Sequence, residues 1–415
     1  MDAKKEAGRQ LVLLERGAEE LIPRGELLAK LERSIETGVP LRVKLGIDPT
    51  SNAVHLGHMV PYGKLRQFQD LGHQAVLIIG DYTASIGDPT GRNAERPALT
   101  MEQVRENAAG YTEQIFRIVD REKAEVRWQS EWYESLPLSE TLRLAGAFSL
   151  AQLLAHETFR ARYEQGVRVG VHELFYPVLQ AWDSVVVGAD VELGGMDQKF
   201  NILAGRDLQR DRGMEIQCAM LMPLLPGLDG RKMSKSFGND IPILLDPAEQ
   251  FARLMSISDE CMEPYRRLVL LDSPEDCRAA AARVASGENP MRLKLELAER
   301  IVGRFGGAAR AQRSREEWER RFSRKEAPSE IPVFTCAGSL DMCAILKQSG
   351  LTASASEARR LVGEGAVYAG EERITDTGYR IDAAAAESEG VVVRIGRRRF
   401  VRVVFASAIE AERPE

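Results

Sequence analysis

Two histidines and two lysines, far apart in the sequence, have the side chains and the spacing to act on a polyphosphate. His55 and His58 stand three positions apart in the segment VKLGIDPTSNAVHLGH, so on a helix they share a face. Gly57 lies between them and leaves room for a flat ligand against the backbone. Lys232 and Lys235 belong to the segment GRKMSKSFGND, in which ammonium groups stand beside serine hydroxyls. Such mobile cations suit a polyphosphate whose charge shifts during a reaction.

Neither segment is decisive alone, because a histidine pair at this spacing is more often a surface feature and a basic loop is more often solvated. The elements around the histidines favour an anion site. Alternating Val43, Leu45 and Ile47 predict a strand, turn-forming residues 48–52 follow, and a helix is expected from about Ala53. The start of a helix offers backbone N–H groups and the positive end of its dipole to a bound anion.

A parallel sheet is predicted around this first strand. The apolar run HQAVLIIG at 73–80 reads as a second strand, which makes a right-handed βαβ unit. The sheet is expected to resume over 185–193, VVVGADVEL, with Gly194–Gln198 at its end. Ligands of open α/β sheets bind beyond the carboxyl ends of the strands, so this turn belongs near the first one. The absence of GxGxxG and Walker motifs disfavours ordinary dinucleotide or P-loop binding.

Composition narrows the class of protein. A chain of 415 residues can form two or three domains, and 28% charged residues with a net charge of −6 argue against a nucleic-acid coat. The cysteine count is five, with no CxxC spacing, which favours reduced thiols and a cytoplasmic location and disfavours a zinc site. No stretch approaches the roughly 20 apolar residues that span a bilayer, so no membrane association is expected.

The pairing of HLGH with KMSKS, in this order, resembles the two signatures of class I aminoacyl-tRNA synthetases. The pattern YxxxQxxD at Tyr176, Gln180 and Asp183, followed by GGMDQKFN, resembles the tyrosine-specific family of that class. The resemblance runs from about Val43 through the C-terminal region. There, SxSEARRL and GAV are similar to the small RNA-binding domain that ribosomal small-subunit protein four shares with RNA-modifying enzymes.

The resemblance implies a role for each matching residue. The residues expected to act in catalysis on the ATP phosphates are Thr50, His55, His58, Arg92, Arg96, Lys232 and Lys235. The ATP-binding residues are expected to be Asp48, His55, Gly57, His58, Gly195, Asp197 and Lys235. The tyrosine-binding residues are expected to be Asp88, Tyr176, Gln180, Asp183 and Gln198. Among these, Asp183 is expected to accept the phenolic hydroxyl, while Asp88, Tyr176 and Gln180 hold the ammonium group. The RNA-binding residues are expected to be Arg359, Arg360, Arg397, Arg398 and Arg399.

One position departs from the family's pattern. Many bacterial members carry a tyrosine where this chain has Lys44, and that tyrosine is a second partner for the substrate hydroxyl. Lys44 could form a salt bridge with Asp183 or point elsewhere. The second partner of the hydroxyl is therefore left open.

The predicted fold class is α/β, with a Rossmann-like parallel-sheet catalytic domain, then an α-helical domain and a small α+β RNA-binding domain. We assign residues 1–230 to the catalytic domain, including a helical insertion at about 100–165. Aromatic residues in that insertion are explained equally by core packing or by dimer contact, and the family implies a homodimer. Residues 231–330 carry the KMSKS loop and a helical tRNA-contacting domain, and 331–415 hold a linker and the RNA-binding domain.

The implied activity is that of a tyrosine–tRNA ligase. ATP with Mg²⁺ and L-tyrosine give tyrosyl-adenylate and pyrophosphate, and tyrosine then passes to the 3′ end of tRNA(Tyr), with no protein-bound metal expected. Two rivals remain. A tryptophan-type relative shares both signatures, but Asp183 and the C-terminal domain argue against it. A non-catalytic RNA-binding protein or RNA modifier would not need His55 or Lys235.

Overall fold

A computed structural model describes residues 2–51, 53–90, 99–322, 331–336, 340–381, 390–396 and 399–405. The chain divides into two compact units, Met1–Gln312 and Arg313–Glu415. Each unit has its own β-sheet. Among the described residues, no helix has both the length and the apolar character needed to cross a bilayer.

The first unit is organised around a six-stranded sheet. Its strands are β1 Glu20–Ile22, β2 Arg42–Ile47, β3 Gln74–Ile79, β4 Ala124–Trp128, β5 Val191–Gly195 and β6 Cys218–Met222. They lie in the order β1-β6-β5-β2-β3-β4, and every neighbouring pair is parallel except β1 with β6. Strands β3, β5 and β6 are almost wholly buried, as a parallel sheet covered on both faces requires.

Helices cover this sheet and continue beyond it. The helices up to β6 are α1 Ala3–Glu15, α2 Arg24–Thr37, α3 Leu56–Asp70, α4 Asp81–Ile86, α5 Met101–Ile115, α6 Ser130–Tyr133, α7 Leu138–Gly146, α8 Leu150–Leu153, α9 Glu157–Glu164, α10 Val171–Val186 and α11 Lys199–Asp211. After β6 come α12 Pro247–Ser256, α13 Met262–Leu268, α14 Pro274–Ala285, α15 Pro290–Gly306 and α16 Ala308–Phe322. Helices α12, α14 and α15 each begin with proline after an Asp, Ser or Asn side chain that caps the first turn.

The predicted βαβ unit is confirmed, because β2 and β3 are adjacent, parallel and joined by α3. The predicted start of α3 near Ala53 is wrong. The Ile243 N–H donates to the Val54 carbonyl at 3.0 Å and the Leu56 N–H donates to the Ile241 carbonyl at 3.0 Å, so this stretch is extended and the helix begins at Leu56. Pairing with a distant segment, which no local pattern reveals, fixes this boundary.

Two further expectations about the sheet are wrong. The strand expected over 185–193 covers only Val191–Gly195, because α10 continues to Val186 and buries its apolar face before the chain turns. The N-terminal forty residues contain the short strand Glu20–Ile22 between α1 and α2. The helical insertion also contains the strand Ala124–Trp128, which lies at the far edge of the sheet.

The second unit is a small α+β structure. Its strands are β7 Val333–Cys336, β8 Val367–Ala369, β9 Glu372–Ile374, β10 Val391–Ile395 and β11 Arg399–Phe405, and its helices after α16 are α17 Met342–Gln348 and α18 Ala355–Gly363. The sheet order is β7-β11-β10-β8-β9, and only β7 with β11 is a parallel pair. The two arginine-bearing strands β10 and β11 are an antiparallel pair. Together the two units confirm the predicted fold class.

Candidate active site

A cavity of about 730 Å³ opens at the carboxyl edge of the parallel strands in the first unit. Residues at or just beyond the ends of all five parallel strands line it: Asp48, Gly80, Gln129, Gly195 and Pro223. This is where open α/β sheets bind ligands. The predicted site residues that line the cavity are Asp48, Thr50, His55, Gly57, His58, Asp88, Tyr176, Gln180, Asp183, Gly195, Asp197, Gln198 and Lys232.

Among the predicted cavity residues that the structure describes, Lys235 is not on that lining. Lys235 lies beside the cavity, where its ammonium donates to the Ser51 hydroxyl and to the Ala53 carbonyl. Arg92 and Arg96 lie outside the described residues. In the part of the chain that the structure describes, no group of three or more His, Cys, Asp or Glu side chains is arranged to hold a metal ion.

The two histidines form the N-terminal turn of α3. The His55 N–H donates to Nδ1 of His58 at 3.2 Å, and the two rings stack with their centroids 3.7 Å apart. Burial, with the charges of Lys235 and Lys232, lowers the pKa of His55 to about 3. Burial also holds the pKa of His58 well below its ordinary value. Both imidazoles are therefore neutral near pH 7 and can hydrogen-bond to a phosphate without adding positive charge.

Positive charge comes instead from the KMSKS loop. The Lys232 ammonium pairs with the Asp197 carboxylate, and the Lys232 side chain is 47% exposed. Burial lowers the pKa of Lys235. Between the lysines, the Met233 sulfur accepts the Gly57 N–H at 3.3 Å and so joins the loop to the start of α3. Met233 thus fixes the loop to α3, while the ammonium groups of Lys232 and Lys235 bond to oxygen atoms of the protein.

Asp183 forms the buried end of the cavity. Its carboxylate accepts hydrogen bonds from Gln129 Nε2 at 2.7 Å, from Tyr133 OH at 3.1 Å and from Trp132 Nε1 at 3.2 Å. Burial raises the pKa of Asp183 to about 7, while the charge of Lys44 and the hydrogen bonds from Gln129 and Tyr133 oppose this rise. Small changes around Asp183 can therefore shift its carboxyl group between the neutral and the ionised form near neutral pH.

The other carboxylates are held by side chains from different elements. The Tyr176 hydroxyl donates to Oδ2 of Asp48 at 2.8 Å, and Thr83 donates to Oδ1 at 2.7 Å. Gln198 donates to Asp88 Oδ2 at 2.8 Å. A Cβ at position 80 would lie 2.3 Å from both Asp48 Oδ1 and Thr83 Oγ1, so glycine at the end of β3 makes room for this pair.

Lys44 does not pair with Asp183. Its ammonium bonds to Glu192 Oε1 at 3.0 Å, to Ser184 Oγ at 2.7 Å and to the Gln180 carbonyl at 2.8 Å. Lys44 and Glu192 face each other across β2 and β5 in the sheet register, so their side chains emerge on the same face. Of the two possibilities left open by the sequence, a salt bridge to Asp183 is therefore wrong.

Sequence reasoning missed several side chains at the site. Gln129 lines the cavity and bonds to Asp183, and Thr83, Tyr62 and Tyr111 also line it. Gln129 directly follows β4, so recognising that strand would have found it. Tyr62 stands one helical turn after His58 on α3, which is a second available signal.

In the second unit, the predicted RNA-binding residues that are described lie on or against α18. Arg359 and Arg360 are exposed on this helix, and Arg360 pairs with Glu364 at 2.8 Å. Arg399 bonds to the Leu351 carbonyl at 2.9 Å and to Glu357 of α18 at 3.2 Å. The structure therefore brings Arg399 to the helix that carries Arg359 and Arg360. Arg397 and Arg398 lie outside the described residues.

Comparison with known proteins places this geometry in context. Residues 36–323 match the family described as tRNA synthetases class I (W and Y), and residues 324–403 match a tyrosine–tRNA ligase C-terminal domain. The tyrosine–tRNA ligase of Syntrophotalea carbinolica is 46% identical over 407 residues, covering 97% of this chain and 99% of the relative. That of Symbiobacterium thermophilum is 48% identical over 401 residues, covering 95% and 97%.

Solved structures give the same fold at lower identity. A C-terminally truncated mitochondrial tyrosyl-tRNA synthetase from Coccidioides posadasii aligns with a TM-score of 0.61 at 23% identity, covering 76% of this chain and 94% of that one. The tyrosyl-tRNA synthetase of Archaeoglobus fulgidus, solved with L-tyrosine, aligns with a TM-score of 0.59 at 23% identity, covering 74% and 99%.

Proposed function

Because the chain belongs to the tyrosine–tRNA ligase family of class I aminoacyl-tRNA synthetases, we propose that its cavity binds tyrosine at the Asp183 end and ATP at the His55 end. The enzyme is an aminoacyl-tRNA synthetase that uses ATP to join tyrosine to tRNA(Tyr). The observation that carries the assignment of the two ends is the buried Asp183 carboxylate, positioned by three donors at the end of the cavity.

At the tyrosine end, Asp183 accepts the phenolic hydroxyl of the substrate. Phenylalanine would leave this buried carboxylate without that partner, an effect for which tyrosine–tRNA ligases are themselves the standard example. Tyr176, Gln180 and Asp88, which line the same cavity, hold the ammonium group, and Gln198 keeps Asp88 oriented through their 2.8 Å hydrogen bond. The tyrosine carboxylate is then directed towards the nucleotide.

At the nucleotide end, Gly57, Gly195 and Asp197 receive the adenosine, while Thr50 and the neutral histidines donate to the phosphates. Lys232 and Lys235 leave their protein partners and follow the pyrophosphate as its charge grows. Arg92 and Arg96 are proposed to join them. Magnesium enters on the ATP phosphates as part of the substrate, where it neutralises phosphate charge.

The chemistry needs no protein nucleophile. The tyrosine carboxylate attacks the α-phosphorus of ATP, the bond to the pyrophosphate oxygen breaks, and tyrosyl-adenylate forms. A terminal ribose hydroxyl of the tRNA then attacks the tyrosyl carbonyl and releases AMP. The residues contribute orientation and stabilisation of developing charge.

Amino-acid-dependent ATP–pyrophosphate exchange tests the substrate assignment. Exchange is expected with tyrosine and not with tryptophan or phenylalanine at comparable concentrations. Exchange driven by tryptophan would overturn the tyrosine assignment, and no exchange with any amino acid would favour an RNA-binding protein without this activity.

We propose that the enzyme is a homodimer that uses the surface around α7 to α10. Large apolar side chains are exposed there: Leu138, Leu142, Leu150, Tyr163 and Val171 are 61% to 73% exposed. Analytical ultracentrifugation of the wild type and of Leu142→Glu tests this assignment. The variant is expected to sediment as a monomer, and an unchanged dimer would exclude this surface.

The domain boundaries and the tRNA-contacting residues are proposed from the family and from the residues that the structure describes. We propose a catalytic domain at 1–230, a helical tRNA-contacting domain at 231–330 and an RNA-binding domain within 331–415 that contacts tRNA through Arg359, Arg360 and Arg397 to Arg399. The exposure of Arg359 and Arg360 on α18 supports the last of these. A cytoplasmic location stays a prediction.

A further inference from the structure

A cluster of polar side chains is buried beneath α10, beside the cavity but not on its surface. Lys44, Ser184 and Gln217 are 0% exposed and Glu192 is 1% exposed. Among the described residues that line the cavity, none of these four is found. Burying two opposite charges costs desolvation free energy that their attraction does not reliably recover, so stability alone is a weak reason for such a pair.

Glu192 is the centre of the cluster. Its Oε1 accepts from Lys44 Nζ and Gln180 Nε2, both at 3.0 Å. Its Oε2 accepts from Ser184 Oγ at 2.9 Å and from Gln217 Nε2 at 2.5 Å. An ionised carboxylate accepts about four hydrogen bonds, so this one is saturated. It is consequently fixed in position and has no capacity left for a ligand.

Gln180 is the member of this network that reaches the cavity. An amide side chain can present either its NH₂ group or its oxygen, and the two choices differ by a half-turn. Glu192 accepts hydrogen bonds and cannot donate them when ionised, so it selects the orientation in which NH₂ faces away from the ligand. The oxygen of Gln180 is then the atom left for the cavity, and an oxygen attracts a substrate ammonium whereas NH₂ would repel it.

We propose that Glu192 and Lys44 are positioning residues for tyrosine recognition. Glu192 holds the Gln180 amide with its oxygen towards the substrate ammonium. Lys44 balances the charge of Glu192 and also bonds to the Gln180 carbonyl, which fixes the turn of α10 that carries Gln180. The inference rests on the proposed function, in which Gln180 contacts the ammonium group. It gives Lys44 a role in substrate recognition without any contact with the phenolic hydroxyl.

Two double variants test the role of the acceptor. Lys44→Met with Glu192→Leu removes both charges and the acceptor, and replacing a buried ion pair by apolar side chains of similar volume is usually tolerated. Lys44→Met with Glu192→Gln is the matched control, because it also removes both charges but keeps an acceptor for Gln180. Each variant is titrated with L-tyrosine and with 3-(4-hydroxyphenyl)propanoate, which lacks the amino group, and KM and kcat are measured in pyrophosphate exchange.

The leucine variant is expected to bind tyrosine about tenfold more weakly, which is the loss of one hydrogen bond to a charged group. Its affinity for the des-amino analogue is expected to change less than about twofold, because the analogue presents no ammonium to Gln180. The KM for tyrosine rises and kcat changes little. The glutamine variant is expected to show a smaller loss for tyrosine and none for the analogue. If the leucine variant melts below the assay temperature, Lys44→Met with Glu192→Met takes its place, because it also removes both charges and the carboxylate acceptor.

An equal loss of affinity for tyrosine and for the analogue would overturn the proposal, since it would mean that the pair only supports packing. Unchanged affinity for both ligands in both variants would overturn it as well. Gln180→Ala separates this failure from that of the proposed function. If Gln180→Ala binds tyrosine as tightly as wild type, Gln180 does not hold the ammonium, and the role of Glu192 fails with it.

Discussion

The two ends of the cavity differ in how deeply their charged side chains are buried. At the proposed tyrosine end, Asp183 is 2% exposed and is held by Gln129, Trp132 and Tyr133. At the nucleotide end, Lys232 is 47% exposed and stands on a loop. Selecting a substrate needs groups that are already in place, whereas stabilising a departing pyrophosphate needs charges that can follow it. The contrast in burial supports the proposal that one end of the cavity selects the amino acid and the other stabilises the reaction.

Burial shifts a pKa at each end of the cavity, upward for a carboxyl group and downward for an imidazole. At the tyrosine end it raises the pKa of Asp183 to about 7, and at the nucleotide end it lowers the pKa of His55 to about 3. In each case the neutral form gains. The histidines therefore stay neutral and leave charge to the lysines, while the pKa of Asp183 lies near neutral pH because the Lys44 charge partly opposes the effect of burial.

The largest effect is expected at the nucleotide end. Lys235→Ala should slow tyrosyl-adenylate formation by about 10²- to 10³-fold and leave tyrosine binding by the free enzyme unchanged, because the ammonium meets charge that develops in the transition state. Single-turnover rates and equilibrium dialysis measure the two quantities, and exposed Lys123→Ala is the matched control. A large loss of tyrosine affinity with an unchanged rate would contradict the division between the two ends.

At the tyrosine end, Asp183→Ala is expected to lower kcat/KM for tyrosine by about 10- to 100-fold more than for phenylalanine, because only tyrosine bonds to the carboxylate. Pyrophosphate exchange with each amino acid gives the ratio. Glu134→Ala, whose side chain is 61% exposed at the C-terminal end of α6, serves as a control for general damage. Equal losses for the two amino acids would give Asp183 a structural role only.

The pKa of Asp183 also predicts a dependence of stability on pH. Since its pKa is raised above the ordinary value of 3.8 to about 7, the unfolded chain loses this proton first. The stabilisation by the protonated form is complete below about pH 4 and is lost as the pH rises to about 7. Replacing Asp183 by Asn removes this loss.

Urea unfolding at about pH 5 and about pH 8 measures the difference. Relative to wild type, Asp183→Asn is expected to gain on the order of 2 kcal/mol in unfolding free energy between these two pH values. A constant difference would mean that Asp183 is ionised throughout. Such a result would weaken the contrast between a finely balanced tyrosine end and a firmly neutral histidine pair.

The smallest effect on the cavity is expected from removing residues 333–415, which carry the whole sheet of the second unit. A chain ending after Pro332 keeps both ends of the cavity and should form tyrosyl-adenylate at the wild-type rate. It should charge tRNA at least about tenfold more slowly, with a shallower dependence on salt, because fewer counterions are released when fewer arginines meet phosphates. Pyrophosphate exchange and tRNA charging at two salt concentrations test this, and equal charging by both chains would remove the second unit from tRNA recognition.

Much of the site was predictable because its residues carry strong local signals. The strand before Asp48 and the glycine between the histidines are visible in the sequence, and so is the helical spacing of Tyr176, Gln180 and Asp183. The structure gathers these segments at one edge of the sheet, as the rule for parallel strands predicts.

What escaped prediction depends on contacts between distant segments. The start of α3 is set by pairing with residues 241–243, and β4 became a strand because β3 supplies its hydrogen bonds. The partner of Lys44 follows from the order of strands, which puts β5 beside β2 even though residues 124–128 come first in the chain. Periodicity describes single elements and carries no information on which elements become neighbours.

The sulfur of Met233 accepts the Gly57 N–H, so the two signature segments are in direct contact. Residues 241–243, just beyond the loop, also pair with the chain before α3. The loop and the start of the helix therefore form one structural unit built from two distant segments of the chain. A chimera that takes the loop from a relative should therefore take the start of α3 from the same relative. Otherwise the contacts that position the loop lysines would be formed between unmatched segments.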